Sequence, residues 1–210
     1  SALSIVQRQH RWDGDSGEHD DSLLSELIVQ GLQWLSKQQN EDGGWGDTDQ
    51  SYSNISTTML ALSAFRLTGV PADTNGLLDR AEKYIEKQGG IRGLRQRYGR
   101  DKTFAVPILT NAALAGIVPW RKVSSLPFEL AVFPQSFYRF LQMPVVSYAV
   151  PALVAIGQAR FFNAKPWNPV TRLIRSLSVA PTLRVLSQMQ PASGGFLEAI
   201  PLTSFVVMSL

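Results

Sequence analysis

A helix-end signal recurs along this chain, and a chain built that way folds as successive copies of one helical unit. Its fullest form is Trp34, Leu35, Gln39, Gly43, Gly44 and Trp45. Upstream, Leu23, Leu24, Leu27, Ile28, Gly31, Leu32 and Leu35 recur at three- and four-residue spacing, an apolar stripe on one helix face. The adjacent glycines supply the positive φ that stops this helix near residues 40–44. Trp34 then lies in the last turns, Gln39 at the end and Trp45 just past the glycine turn. One flat amide and two indoles gather around that turn. Such a group can tie a helix end to its neighbour by stacking and by hydrogen bonds to orphaned carbonyls or amides.

Val185, Leu186, Gln190, Gly194, Gly195 and Phe196 repeat the arrangement residue for residue, with Phe196 in place of the second Trp. Tyr84, Ile85, Gln88, Gly89 and Gly90 form a partial copy between them. Residues 22–39, 75–88 and 170–190 read as amphipathic helices, the last carrying Arg172, Arg175 and Arg184. Residues 53–68, 103–117 and 145–160 read as enclosed helices: the run Met59 to Phe65 is apolar or small on every side, and 103–117 is nearly uncharged. An alternation of the two kinds is what two layers of helices demand, because an inner layer is covered on both sides. Another enclosed helix begins near Pro201, giving about eight in all and no strand signal. The fold class is therefore all-α. Residues 118–136, with Pro119, Pro127 and Pro134, read as an ordered loop, and the acidic residues 11–21 as a solvated one. Apolar helices cut mid-course at Ser1 to Val6 and Ser204 to Leu210 imply that 1–210 is one segment of a longer polypeptide.

With 210 residues, 44% hydrophobic and 18% charged, the chain can bury a substantial core. A net charge of +3 gives no ground for a nucleic-acid partner. The absence of cysteine excludes disulfides and thiolate chemistry and fits a reducing, cytoplasmic compartment. Phe140 to Ala159 is long enough to span a membrane and carries no charge, yet it contains Gln142, Pro144, Pro151 and Gln158, which favours an enclosed helix. Arg92, Arg95, Arg97, Arg100 and Lys102 suit either a solvated surface turn or contact with anionic lipid headgroups.

The repeated unit resembles the QW motif of triterpene cyclases, most of all the squalene–hopene cyclases. Gln88-Gly89-Gly90-Ile91, Val118-Pro119-Trp120-Arg121-Lys122-Val123 and Pro127-Phe128-Glu129-Leu130 carry the resemblance over nearly the whole chain. It implies an α/α barrel, here an incomplete one from the first of two barrels. It also implies an isomerase of triterpenoid biosynthesis that cyclises squalene or another polyprene by protonation, with no cofactor. The implied partners are the polyprenyl substrate, the second barrel of the same polypeptide and a peripheral membrane contact. Structural QW roles fall on Trp34, Gln39, Gly44, Trp45, Tyr84, Gln88, Gln190, Gly195 and Phe196. Trp120 matches a tryptophan that lines the substrate cavity, although a buried loop anchor accounts for it equally well. Ile200 and Pro201 match a Gln-Pro pair near the end of the cavity where the reaction terminates. Ile200 departs from that pattern, because it has no side-chain group with which to position a terminating water.

Protonating a polyene needs an exceptionally strong acid and a dry cavity whose aromatic faces stabilise carbocations. In the resembled family the acid is the middle Asp of an Asp-x-Asp-Asp motif on the other barrel. Asp13-Gly14-Asp15-Ser16 and Asp47-Thr48-Asp49-Gln50 lack its last acid, and Glu18-His19-Asp20-Asp21 lies in the stretch read as solvated loop. No catalytic residue is assigned on this reading. No metal ligand is assigned either: zinc-dependent prenyltransferases need Cys, and a magnesium-binding Asp-Asp-x-x-Asp is absent because Asp20-Asp21 is followed by Ser22-Leu23-Leu24. Barrel glycosidases need paired carboxylates in a cleft, which the apolar helices lack. The chain is then cavity wall and scaffold; the alternative is a non-catalytic isoprenoid-binding or scaffolding barrel.

Overall fold

The computed structural model describes residues 1–13, 18–69, 74–99, 101–133, 150–196 and 199–210. These form nine α-helices and three 3-10 turns, and their only β pairing is an isolated bridge between Trp45 and Asn54. The chain divides into two compact units, Ser1–Pro119 and Trp120–Leu210.

The first unit holds α1 (Ala2–Asp13), α2 (Glu18–Lys37), α3 (Ile55–Thr68), α4 (Leu77–Lys87), α5 (Gly90–Tyr98) and α6 (Lys102–Leu114). Helix α3 is its centre and packs against all five others. The sequence dictates this, because its buried residues point in every direction: Ile55, Thr58, Met59, Ala61, Leu62, Phe65 and Leu67. The Asn54 side chain caps its start by accepting the Thr57 N–H at 3.0 Å, and Gly69 ends it with φ 65. Leu32 of α2 and Leu77 and Ala81 of α4 join Trp45, Ala61, Leu62 and Phe65 in one core cluster. Helix α6 is enclosed through Ala105, Val106, Ile108, Leu109, Ala112 and Ala113. It stops at Leu114 because Gly116, at φ 74, turns the chain so that Gly116 N–H reaches Ala113 O and Ile117 N–H reaches Ala112 O.

Three expectations change here. The stripe on α2 is only partly covered: Leu32 is buried, while Leu23 and Leu27 are exposed. Residues 11–13 continue α1 and residues 18–21 open α2, so the acidic stretch is largely helix ends rather than one solvated loop. Residues 90–98, which take in Arg92, Arg95 and Arg97 of the basic stretch expected as a surface turn or lipid contact, form α5, with Leu94 fully buried. Gly89 and Gly90 take φ 85 and 57, which reverses the chain at the end of α4 and restarts a helix at once.

The second unit holds 3-10 turns at Trp120–Lys122 and Phe128–Val132, then α7 (Val150–Asn163), α8 (Pro169–Met189) and α9 (Ile200–Ser209). Residues 145–149 of the enclosed helix expected over 145–160 lie outside the described residues. From Val150 onward that helix is enclosed, with Pro151, Val154, Ala155, Ile156, Gly157, Gln158, Ala159 and Phe161 buried. Gln158 is satisfied inside, donating to Val179 O at 3.1 Å and Thr182 Oγ1 at 2.8 Å. Asn168 caps α8 by accepting the N–H groups of Val170 and Thr171, with Pro169 in the first turn. Val154, Ala155, Leu186, Phe196 and Val206 make the core.

Candidate functional site

The residue pattern that repeats in sequence builds a repeated helix-end lock. In the first copy Gly43 adopts φ 87, and its N–H reaches Asn40 O at 2.9 Å. A Cβ on Gly44 would lie 2.6 Å from Ser53 Cβ, so the turn closes only without one. The Gln39 amide donates to Gly43 O and to Leu77 O, both at 2.9 Å, and its oxygen accepts from Arg80. One side chain thereby joins the end of α2 to the start of α4. Trp45 is 2% exposed; its indole donates at 2.9 Å to Leu35 O, a carbonyl of the last turn of α2 that also accepts the Gln38 N–H at 3.1 Å, and packs on Phe65 at 6.1 Å. Trp34 is 57% exposed, so the expected gathering of two indoles gives way to Trp45 on Phe65. On α2 the inward direction belongs to Leu32, two residues from Trp34 and so about 200° around the helix.

The second copy reproduces two of these bonds. Gly194 adopts φ 78 with its N–H on Pro191 O at 2.9 Å, Gln190 donates to Gly194 O at 3.0 Å, and Phe196 is buried at 6% exposure. Phe196 lacks an indole N–H, so it offers no bond like that from Trp45 to Leu35. Gly195 has room: the nearest atom to an added Cβ is Thr203 Oγ1 at 3.7 Å. The partial copy does something else. Gln88 is exposed and Tyr84 buried, and α5 replaces the loop that follows the glycines in the other two.

The sequence residues assigned to a cavity all fall in the second unit. Trp120 is partly buried in its 3-10 turn, and its carbonyl accepts the Val123 N–H at 3.1 Å. Ile200 is 82% exposed and Pro201 is exposed at the start of α9.

Sequence reasoning missed the most enclosed charge among the described residues. Arg175, one of the three arginines noted on the amphipathic helix 170–190, is 8% exposed. It contacts Glu129 Oε1 through Nε and NH2 at 3.2 Å, reaches Leu126 O at 3.3 Å and Ser125 Oγ, and stands 5.7 Å above the Phe128 ring. The group fastens the loop 125–129 onto α8. Removing one partner of such a buried pair costs about 3–5 kcal/mol. A periodicity argument places any Arg of an amphipathic helix outward. The signal available was Glu129 in the otherwise apolar run Leu126 to Phe133, where a carboxylate needs a cation nearby.

Among residues whose side chains are described, every carboxylate except Glu129 is exposed. Asp47 accepts from Asn54 Nδ2 at 2.8 Å and Thr57 Oγ1 at 2.6 Å. The Thr57 hydrogen bond first, then that of Asn54, holds its carboxyl below the ordinary range. It is a braced loop anion. The Asp13 to Ser16 sequence lies mostly outside the described residues, and no group of His, Asp and Glu that could hold a metal occurs among the described ones. No described helix is long and apolar enough to cross a membrane.

Comparison with known proteins bears on this arrangement. The squalene-hopene cyclase N-terminal domain family matches residues 21–182. Enfumafungin synthase efuA of Hormonema carpetanum is 33% identical over 116 residues, 54% of this chain and 8% of that protein. Squalene hopane cyclase afumA of Aspergillus fumigatus is 34% identical over 128 residues, 58% of this chain and 15% of that protein. Cycloartenol synthase of Dictyostelium discoideum is 27% identical over 147 residues, 70% of this chain and 19% of that protein. The matched stretches thus span less than a fifth of each of these relatives. No solved structure gives a significant match.

Proposed function

Because this chain belongs to the squalene-hopene cyclase family, we propose that it is part of an enzyme that cyclises squalene or a related polyprene to a polycyclic triterpene by protonation, and that this part supplies wall and scaffold rather than the acid. The observation that carries the second half is the carboxylate inventory. Acid strength sufficient for an alkene requires a carboxyl that is desolvated and held for that task. Glu129, the only described carboxylate withdrawn from solvent, is engaged with Arg175 instead. Trp120, Ile200 and Pro201 are accordingly assigned to cavity wall, and the QW residues to bracing helix ends. The second barrel of the same polypeptide would bring the acid.

A peripheral membrane contact is supported by α8, which exposes Val170, Leu173, Ile174 and Leu177 at helical spacing just after Trp167, itself 99% exposed. An apolar stripe with basic neighbours such as Arg172 suits an interfacial helix.

Incubating the purified chain with squalene and analysing the extract by gas chromatography tests the assignment. No cyclic product above a protein-free control is expected. A hopene-like product would overturn it, and Asp20 and Asp21 would be the first residues to replace. Sequencing the transcript that encodes the chain separates the enzyme from a non-catalytic isoprenoid-binding barrel: an Asp-x-Asp-Asp motif in frame favours the enzyme, and its absence the barrel.

A further inference from the structure

The structural repeat reaches beyond the residues of the motif. In the first copy the Trp45 carbonyl accepts the Asn54 N–H at 2.9 Å, and the Trp45 N–H donates to Thr58 Oγ1 at 3.0 Å. In the second, the Phe196 carbonyl accepts the Ala199 N–H at 3.1 Å, and the Phe196 N–H donates to Thr203 Oγ1 at 2.9 Å. Asn54 and Ala199 are the N-caps of α3 and α9, and each threonine stands four residues further on. Both backbone polar groups of one aromatic residue are thus captured by the first turn of the next helix.

The connecting segments cannot account for this shared geometry, because they differ in length: residues 46–53 in one copy and 197–198 in the other. The partial copy serves as an internal contrast. Leu94 stands six residues after Gln88, as Trp45 does after Gln39, but its backbone is inside α5. The helix that follows, α6, has Asp101 as its N-cap and Ala105 four residues on, so neither the aromatic nor the hydroxyl is present.

We propose that Thr58 and Thr203 are positioning residues that fix the axial register of α3 and α9 against the glycine turns. Two contacts to the backbone of one residue, made by helix positions one turn apart, resist both sliding and rotation. A slip of one residue moves a helix by about 1.5 Å and turns it by about 100°, which breaks both bonds. Thr58 Oγ1 also donates to Asn54 O at 2.7 Å, which holds its lone pairs toward the Trp45 N–H, and the side chain is wholly buried. Ile200, Pro201 and Leu202 lie between the two anchors of α9, so their placement follows from Thr203. The inference rests on this geometry alone and stands whatever reaction the chain serves.

Thr58→Val deletes the hydroxyl and keeps the shape, whereas Thr58→Ser keeps the hydroxyl. Hydrogen–deuterium exchange in the 210-residue chain, resolved by NMR, reads the Trp45 and Asn54 amides together. In the valine variant both should exchange about tenfold faster, while the serine variant stays near the parent chain. Amides of the second unit such as Val154 should not change. Unchanged exchange in the valine variant, equal acceleration in the serine variant, or acceleration of Trp45 without Asn54 would each overturn the proposal. Should Thr58→Val fail to fold by circular dichroism, Thr203→Val and Thr203→Ser, at a part-buried site, decide it through the Phe196 and Ala199 amides with the same criteria.

Discussion

Replacing Gln39 by Ala tests the lock where it joins most of the fold. The Gln39 amide group satisfies two backbone carbonyls, Gly43 O and Leu77 O, and the side chain is half-buried between α2 and α4. Each lost bond to a partly enclosed carbonyl costs about 1 kcal/mol, so Gln39→Ala should destabilise the first unit by about 2 kcal/mol. Gln190 makes a single bond of the same kind, to Gly194 O, and is exposed. Water takes over that carbonyl, so Gln190→Ala should cost about 0.5 kcal/mol or less. Native-state hydrogen exchange separates the two units, with Leu62 reporting on the first and Val154 on the second. Gln39→Glu sharpens the test. It retains an acceptor for Arg80 but sets a carboxylate against two carbonyls, so it should be no better than Ala. Equal costs at Gln39 and Gln190, a cost at Gln39 below about 0.5 kcal/mol, or rescue by Glu would refute the reasoning.

Gly157→Ala should lower stability even though α7 would gain a better helix former. The new Cβ would lie 2.8 Å from Phe128 Cβ, and Phe128 is wholly buried against Phe161 under Arg175. Overpacking of about 1–3 kcal/mol outweighs a helix-propensity gain of about 1 kcal/mol, and a rise in the urea midpoint would refute this. Asp47 should give the first unit an acid-sensitive term. Its folded carboxyl sits below the ordinary range, chiefly through Thr57, so the stabilisation is complete above the unfolded pKa and is lost as pH falls through the folded one. Thr57→Val should therefore flatten the loss of stability below about pH 4, and an identical slope in variant and parent would show that the hydrogen bond carries no pH dependence.

The all-α class, the enclosed helices α3, α6 and α7, and the positions of the glycine turns were legible in the chain, because periodicity, glycine placement and the lack of charge are local properties. The family resemblance rested on the same local signals. Helix α5 was not legible, since its arginines dominate the composition and only Leu94 is fully buried. Nor was the inward course of Arg175, because which face of a helix meets a buried carboxylate depends on a loop about fifty residues away in sequence. Trp34 and Trp45 show the division most clearly. Both stand in the motif with the same chemistry, and spacing alone placed them together. The tertiary structure separated them: Trp45 follows the glycine turn into contact with Phe65 and the start of α3, whereas Trp34 lies off the face of α2 that carries Leu32. Thr58 and Thr203 are of the same kind. A threonine in the first turn of a helix says nothing by itself; only the approach of a distant aromatic peptide gives its hydroxyl a partner.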